Sequence, residues 1–108
     1  MNKYTELSDF EINRRIAEMD TKNRYVYFEK EQTIFRKFNN GQTQKFNPCN
    51  YPTDAMPIII ENEISMIKSS GGWMCCHGSV GQVEHESLYR GAMELFLLMK
   101  DAERETNT

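Results

Sequence analysis

All three prolines of this 108-residue chain lie between residues 48 and 57, within Phe46-Asn47-Pro48-Cys49-Asn50-Tyr51-Pro52-Thr53-Asp54-Ala55-Met56-Pro57-Ile58-Ile59-Ile60. Each proline fixes φ and removes an amide hydrogen, while Asn and Asp favour turns and caps. The stretch therefore reads as a rigid, ordered connection that runs straight into a helix start. If Asp54 caps that helix, Pro57 falls at its third position, where a missing amide hydrogen costs nothing, and the helix extends to about Asn62. The consecutive Ile58, Ile59 and Ile60 also suit a buried strand, so both assignments stay open for residues 58–60.

The flanking segments carry ordinary periodic signals. Ser8-Asp9-Phe10-Glu11 is a capping box, with Leu7 and Ile12 as its hydrophobic staple. Ile12, Ile16 and Met19 recur at helical spacing, which predicts a helix from about Asp9 to Met19. Tyr25-Val26-Tyr27-Phe28 and Thr33-Ile34-Phe35 read as a strand hairpin, ended by Asn39-Asn40-Gly41. Ile64–Lys68 and Trp73–His77 read as a second hairpin across the four residues Ser69–Gly72. Gly78–Glu86 reads as a polar loop. Ser87 is placed to cap a last helix in which Leu88, Ala92, Leu95, Phe96 and Met99 form a stripe that Leu97 and Leu98 widen almost to the full circumference. Residues 101–108 read as a polar, frayed tail. The order α-β-β-α-β-β-α predicts one α+β domain over residues 1–108, with a small, mostly antiparallel sheet of about four strands and three helices packed on it.

Three blocks carry a family resemblance. Leu7-Ser8-Asp9-Phe10-Glu11-Ile12-Asn13, the segment from Phe46 to Ile60, and Arg90-Gly91-Ala92-Met93-Glu94-Leu95-Phe96-Leu97-Leu98-Met99 together resemble the NinX family of small tailed-phage proteins. Where relatives carry Trp, this chain has Met56. The resemblance implies a phage accessory protein of the host cytoplasm, and it carries over no catalytic residue.

Composition narrows the functional classes. The formal net charge is −3, with 9 Lys/Arg against 7 Asp/Glu in Met1–Thr53 and 4 against 9 in Asp54–Thr108, too mild for a nucleic-acid mimic or a strongly basic binder. No apolar run approaches the roughly 20 residues of a membrane helix. Three cysteines, two of them adjacent as Cys75-Cys76, fit a reducing compartment rather than a disulfide framework. Cys75 and Cys76 would point to opposite faces of a strand, and with Cys49, His77 and His85 they form no ligand pattern, so neither metal nor cofactor is expected. A nucleophilic thiol would need an electropositive setting that the local acidity does not offer. No catalytic residue is assigned, and the chain is read as a non-enzyme.

What remains is binding. The first expectation is a protein–protein interaction module, with self-association through the last helix, whose apolar circumference exceeds what one contact surface would cover. The candidate contact residues are Asn47, Asn50 and Asp54 of the rigid loop, Trp73 beside two glycines, and Leu97 and Leu98 of that helix. A second expectation is single-stranded nucleic acid on the stretch 14–45, where 8 basic and 4 acidic residues interleave with Tyr25, Tyr27, Phe28, Phe35 and Phe38. The third is a small-ligand pocket at the 47–54 loop.

Overall fold

The structure, a computed structural model, describes residues 2–106. The capping box forms as the sequence requires. The Ser8 hydroxyl accepts the Glu11 amide at 3.1 Å, and a Glu11 carboxylate oxygen accepts the Ser8 amide at 3.3 Å. Helix α1 follows over Asp9–Met19 and turns Phe10, Ile12, Ile16 and Ala17 inward.

Strands β1 (Arg24–Phe28), β2 (Thr33–Lys37) and β3 (Thr43–Lys45) form one antiparallel sheet in the order β1-β2-β3, here sheet A. Helix α2 spans Pro52–Glu61. Strands β4 (Ser65–Ser69), β5 (Gly72–His77) and β6 (Gly81–His85) form a second antiparallel sheet, sheet B, in the order β4-β5-β6. Helix α3 closes the fold over Leu88–Thr106.

The α+β class stands, but the described residues hold six strands in two three-stranded sheets rather than about four in one. β3 contributes Thr43, Gln44 and Lys45, all exposed, so no apolar alternation announces it. β6 replaces part of the expected loop, and of its residues only Val83 is buried. The second hairpin turns on Ser70 and Gly71 alone, because Ser69 pairs with Gly72. At Gly72 an added Cβ would lie 2.5 Å from the His85 carbonyl oxygen, so only glycine lets the hairpin end lie this close to β6.

Two helix boundaries also move. α2 begins at Pro52, in the first helical position, where its fixed φ suits the helix. Asp54 is not the cap: its carboxylate reaches back to accept the Asn47 amide at 2.8 Å, which fastens the loop to the helix. Pro57 lies inside the helix and has no hydrogen to give the Thr53 carbonyl. Residues 58–60 are helical; Ile59 is buried and Ile60 is 68 % exposed. α3 continues through Asp101 and Arg104 instead of fraying, because the buried Asp101 accepts hydrogen bonds from the Tyr4 hydroxyl and from Arg104. Residues 107 and 108 of the expected tail lie outside the described residues.

The core is one contiguous cluster with α3 at its centre. α3 packs on β5 and β6 along one side and on α2 and α1 along others. Gly91 permits a close approach to sheet B, since a Cβ there would stand 3.1 Å from His85 Cβ and 3.4 Å from Cys75 Sγ. Ala92, Met93, Leu95 and Leu97 are fully buried, Phe96 and Met99 nearly so, and Leu98 is half-buried. Within the chain, sheet B, α2 and α1 together cover most of the apolar circumference of α3. Leu97→Ala should cost about 2–5 kcal/mol, the range for truncating a buried leucine. The urea denaturation midpoint measures it.

Candidate functional site

The 47–54 loop is ordered by its own polar groups. Asn47 Oδ1 accepts from Asn13 Nδ2 at 2.8 Å and from Asn50 Nδ2 at 2.9 Å. Asn13 Oδ1 in turn accepts the Cys49 amide at 3.1 Å. Asn50 also donates to Asp9 Oδ2 at 3.1 Å. Asn47, Asn50 and Asp54 are therefore brought together, with Asn47 Oδ1, Asn50 Nδ2 and Asp54 Oδ2 engaged on α1 or on the loop itself.

Asp9 leads from the loop to a buried cation. Arg90 on α3 donates from Nη1 to Asp9 Oδ1 at 2.7 Å, from Nε to Glu94 Oε2 at 2.6 Å, and from Nη2 to the carbonyls of Tyr4 and Leu7 at 2.9 and 2.7 Å. Its side chain is 8 % exposed and that of Glu94 is 2 %. Asn2 Nδ2 donates to the other Glu94 oxygen at 3.1 Å, and His85 Nε2 stands 3.9 Å from Oε2. This arrangement satisfies a desolvated ion pair and fastens the N-terminal arm to α3. With every close partner supplied from within, it works as a fastener rather than as an acid–base pair.

The two buried thiols are equally quiet. Burial, then the Asp9 charge, pushes the Cys49 thiol far up, and burial with neighbouring Cys76 pushes Cys75 up to about 11. Neither is poised as a thiolate nucleophile at neutral pH. No group of three metal-ligating side chains occurs among the described residues.

Trp73 sits on sheet B, half-buried, with Lys68 Nζ 5.7 Å above its ring. Neither it nor Leu97 joins the loop residues in a common surface.

Sheet A instead presents a face that the sequence marked only as a stretch. Pairing sets Tyr25 opposite Arg36 and Tyr27 opposite Ile34, on the side that meets α1. The other side carries Arg24 opposite Lys37, Val26 opposite Phe35, Phe28 opposite Thr33, and Lys45 beyond Phe35. Arg24, Lys37 and Lys45 are exposed, as are Val26 at 37 % and Phe28 at 45 %. Phe28 and Phe35 meet edge to face at 5.7 Å between centroids. No strand residue of this outer face is acidic, although the chain as a whole is negative. Of the other basic residues in the stretch, Arg14 pairs with Glu18 and Glu29, and Arg15 lies over the Tyr4 ring. Period-two alternation along Arg24, Val26 and Phe28 was the readable signal; β3, which delivers Lys45, was not readable.

The sequence model for bacteriophage P22 NinX matches residues 3–100. The chain belongs to the NinX family. Curated proteins and solved structures yield no match to it. Within this NinX chain, no described helix is long and apolar enough to cross a membrane.

Two predictions follow from the buried polar groups. Arg90→Ala leaves Glu94 without its partner in a desolvated site and should cost about 3–5 kcal/mol by chemical denaturation. The second concerns pH. Burial pushes the carboxyls of Asp9, Asp20 and Asp101 up. Hydrogen bonds outweigh it, from Arg90 and Asn50 on Asp9, from Tyr25 and Asn23 on Asp20, and from Tyr4 and Lys3 on Asp101, and all three end below the usual carboxylate range. Their contribution is complete above the unfolded value of about 3.9 and disappears as pH falls through the folded values. Tyr4 and Tyr25 are pushed up to about 12, by burial first and then by Asp101 and Asp20. That contribution is complete below about pH 10 and is lost as pH rises toward 12. Thermal midpoints should stay level at neutral pH and decline at both ends, and Asp101→Asn should blunt both declines.

Proposed function

We propose that this NinX protein is a non-enzymatic binding module and that the outer face of sheet A takes single-stranded nucleic acid in the cytoplasm of the infected cell. The observation that carries the reading is the interleaving of Arg24, Lys37 and Lys45 with Phe28, Phe35 and Val26 on a face with no strand carboxylate. Phosphates would meet the three cations, and unstacked bases would lie on the aromatic rings, every base having a π face. Tyr25 and Tyr27 have no part in this, because they belong to the inner face.

Fluorescence anisotropy with a short oligothymidylate tests it. Three phosphate contacts predict a slope of about −2 in log K against log salt, at roughly −0.7 per contact for single strands. Phe28→Ala should weaken binding by about 1–3 kcal/mol, the usual contribution of one stacked base. Lys37→Glu should weaken it more at low salt than at high salt. Absence of binding at low ionic strength, or binding that ignores both substitutions, would end the proposal.

A protein partner is the second reading, and Ile60 favours it. This side chain is 68 % exposed on α2, while Ile59 beside it is buried. A contact there would be weakened by Ile60→Glu and left alone by Lys37→Glu.

A further inference from the structure

A cleft of about 680 Å³ opens on the other side of sheet A, between its inner face, the end of α1, α2 and α3. It reaches the 47–54 loop at Thr53 and Asp54. Ile16, Phe46, Ile58 and Phe96 form the apolar part of its lining. Arg36 enters it from β2, with its guanidinium carbon 5.2 Å from the Phe46 ring centre and 5.8 Å from that of Tyr25.

Arg36 differs from Asp20, Asp54, Glu103 and Arg104, whose charged groups are engaged within the chain. Asp20 is occupied by the Tyr25 hydroxyl at 2.5 Å and by the turn that follows α1. Asp54 holds the Asn47 amide, Glu103 pairs with Lys100 at 3.2 Å, and Arg104 pairs with Asp101. Arg36 forms no ion pair among the described residues; it interacts with the Tyr25 hydroxyl, but its Nε is buried without a hydrogen-bond partner. Buried donors are ordinarily satisfied, and a guanidinium held on aromatic faces has its fork set for a planar anion. Lys22 at the edge adds positive charge with no ion-pair partner among the described residues, while the exposed Glu61 opposes it.

We infer that the cleft binds a small organic anion, its carboxylate or phosphate head paired with Arg36 and its apolar body laid against Ile16, Ile58 and Phe96. The volume suits a ligand of modest size, and the lining is mixed, with an apolar floor beside polar and charged groups, which fits an amphipathic anion better than a purely apolar guest. This site is independent of the outer face, since β2 sends Phe35 and Lys37 one way and Arg36 the other.

The experiment uses hexanoate, its neutral counterpart hexanol, and inorganic phosphate as probes in NMR titrations of the full chain. Hexanoate should shift the Arg36 Nε–H signal together with the amides of Ile16, Ile58 and Phe96. Hexanol should bind at least tenfold more weakly, and phosphate should shift Arg36 without the apolar positions. Arg36→Gln should abolish the preference for hexanoate over hexanol, and Lys37→Glu should leave it intact. Equal binding of hexanol and hexanoate by the parent protein would reduce the cleft to an apolar groove and overturn the inference. So would anion shifts confined to Lys37 and Lys45. Both of these results come from the unsubstituted chain, so they decide the matter even if Arg36→Gln fails to fold.

Discussion

A guanidinium removed from water must find acceptors on nearly every side, and Arg90 finds them in two stretches far apart in sequence, its own helix and residues 4–9. Glu94 comes from its own helix, Asp9 from the start of α1, and two carbonyls from the arm that precedes α1. Leaving any of these out would strand a buried charge, a far larger penalty than an exposed ion pair would incur. The arm is therefore pinned to α3, α1 is held where its apolar side faces β2, and Asp9 passes the constraint on to Asn50 and Asn47. The positions of sheet A and of the cleft beneath it depend on this anchorage.

The sequence spoke clearly where one interaction was both local and sufficient. Ser8 and Glu11 define the start of α1, and the helix boundaries agree with the capping box residue for residue. The β1–β2 and β4–β5 pairings were legible from aromatic and β-branched runs. β3 was not, because its three residues are solvated on both faces and its identity rests only on hydrogen bonds to β2. Asp54 misled because its carboxylate suits a cap, whereas here it serves the Asn47 amide; Pro52 carried the better signal for the helix start. The apolar circumference of α3 was real, but one chain cannot show how many of its own elements will surround a helix. Likewise the 14–45 stretch announced basic and aromatic character, while only the strand register could sort it into an inner and an outer set.

That sorting gives β2 a double allegiance. Phe35 and Lys37 face outward beside Lys45, while Ile34 faces the core and Arg36 the cleft. A slip of one residue in pairing would exchange the two sets, exposing Ile34 and burying Lys37. The inward packing of Ile34, which is 1 % exposed, fixes the register and hence the composition of both surfaces.

The placement of α3 at the centre has a consequence for synthesis. Every strand precedes it in the chain, yet the inner face of sheet B has its main covering in α3, and the N-terminal arm has its anchor there as well. A ribosome making this protein would release both hairpins before the residues that bury them, and the link from Tyr4 to Asp101 spans 97 positions. Completion of the core therefore waits for the segment 88–106 to emerge. Until then the nascent chain carries uncovered apolar strand faces, and protection by chaperones at that stage would matter more than for a domain whose core closes progressively.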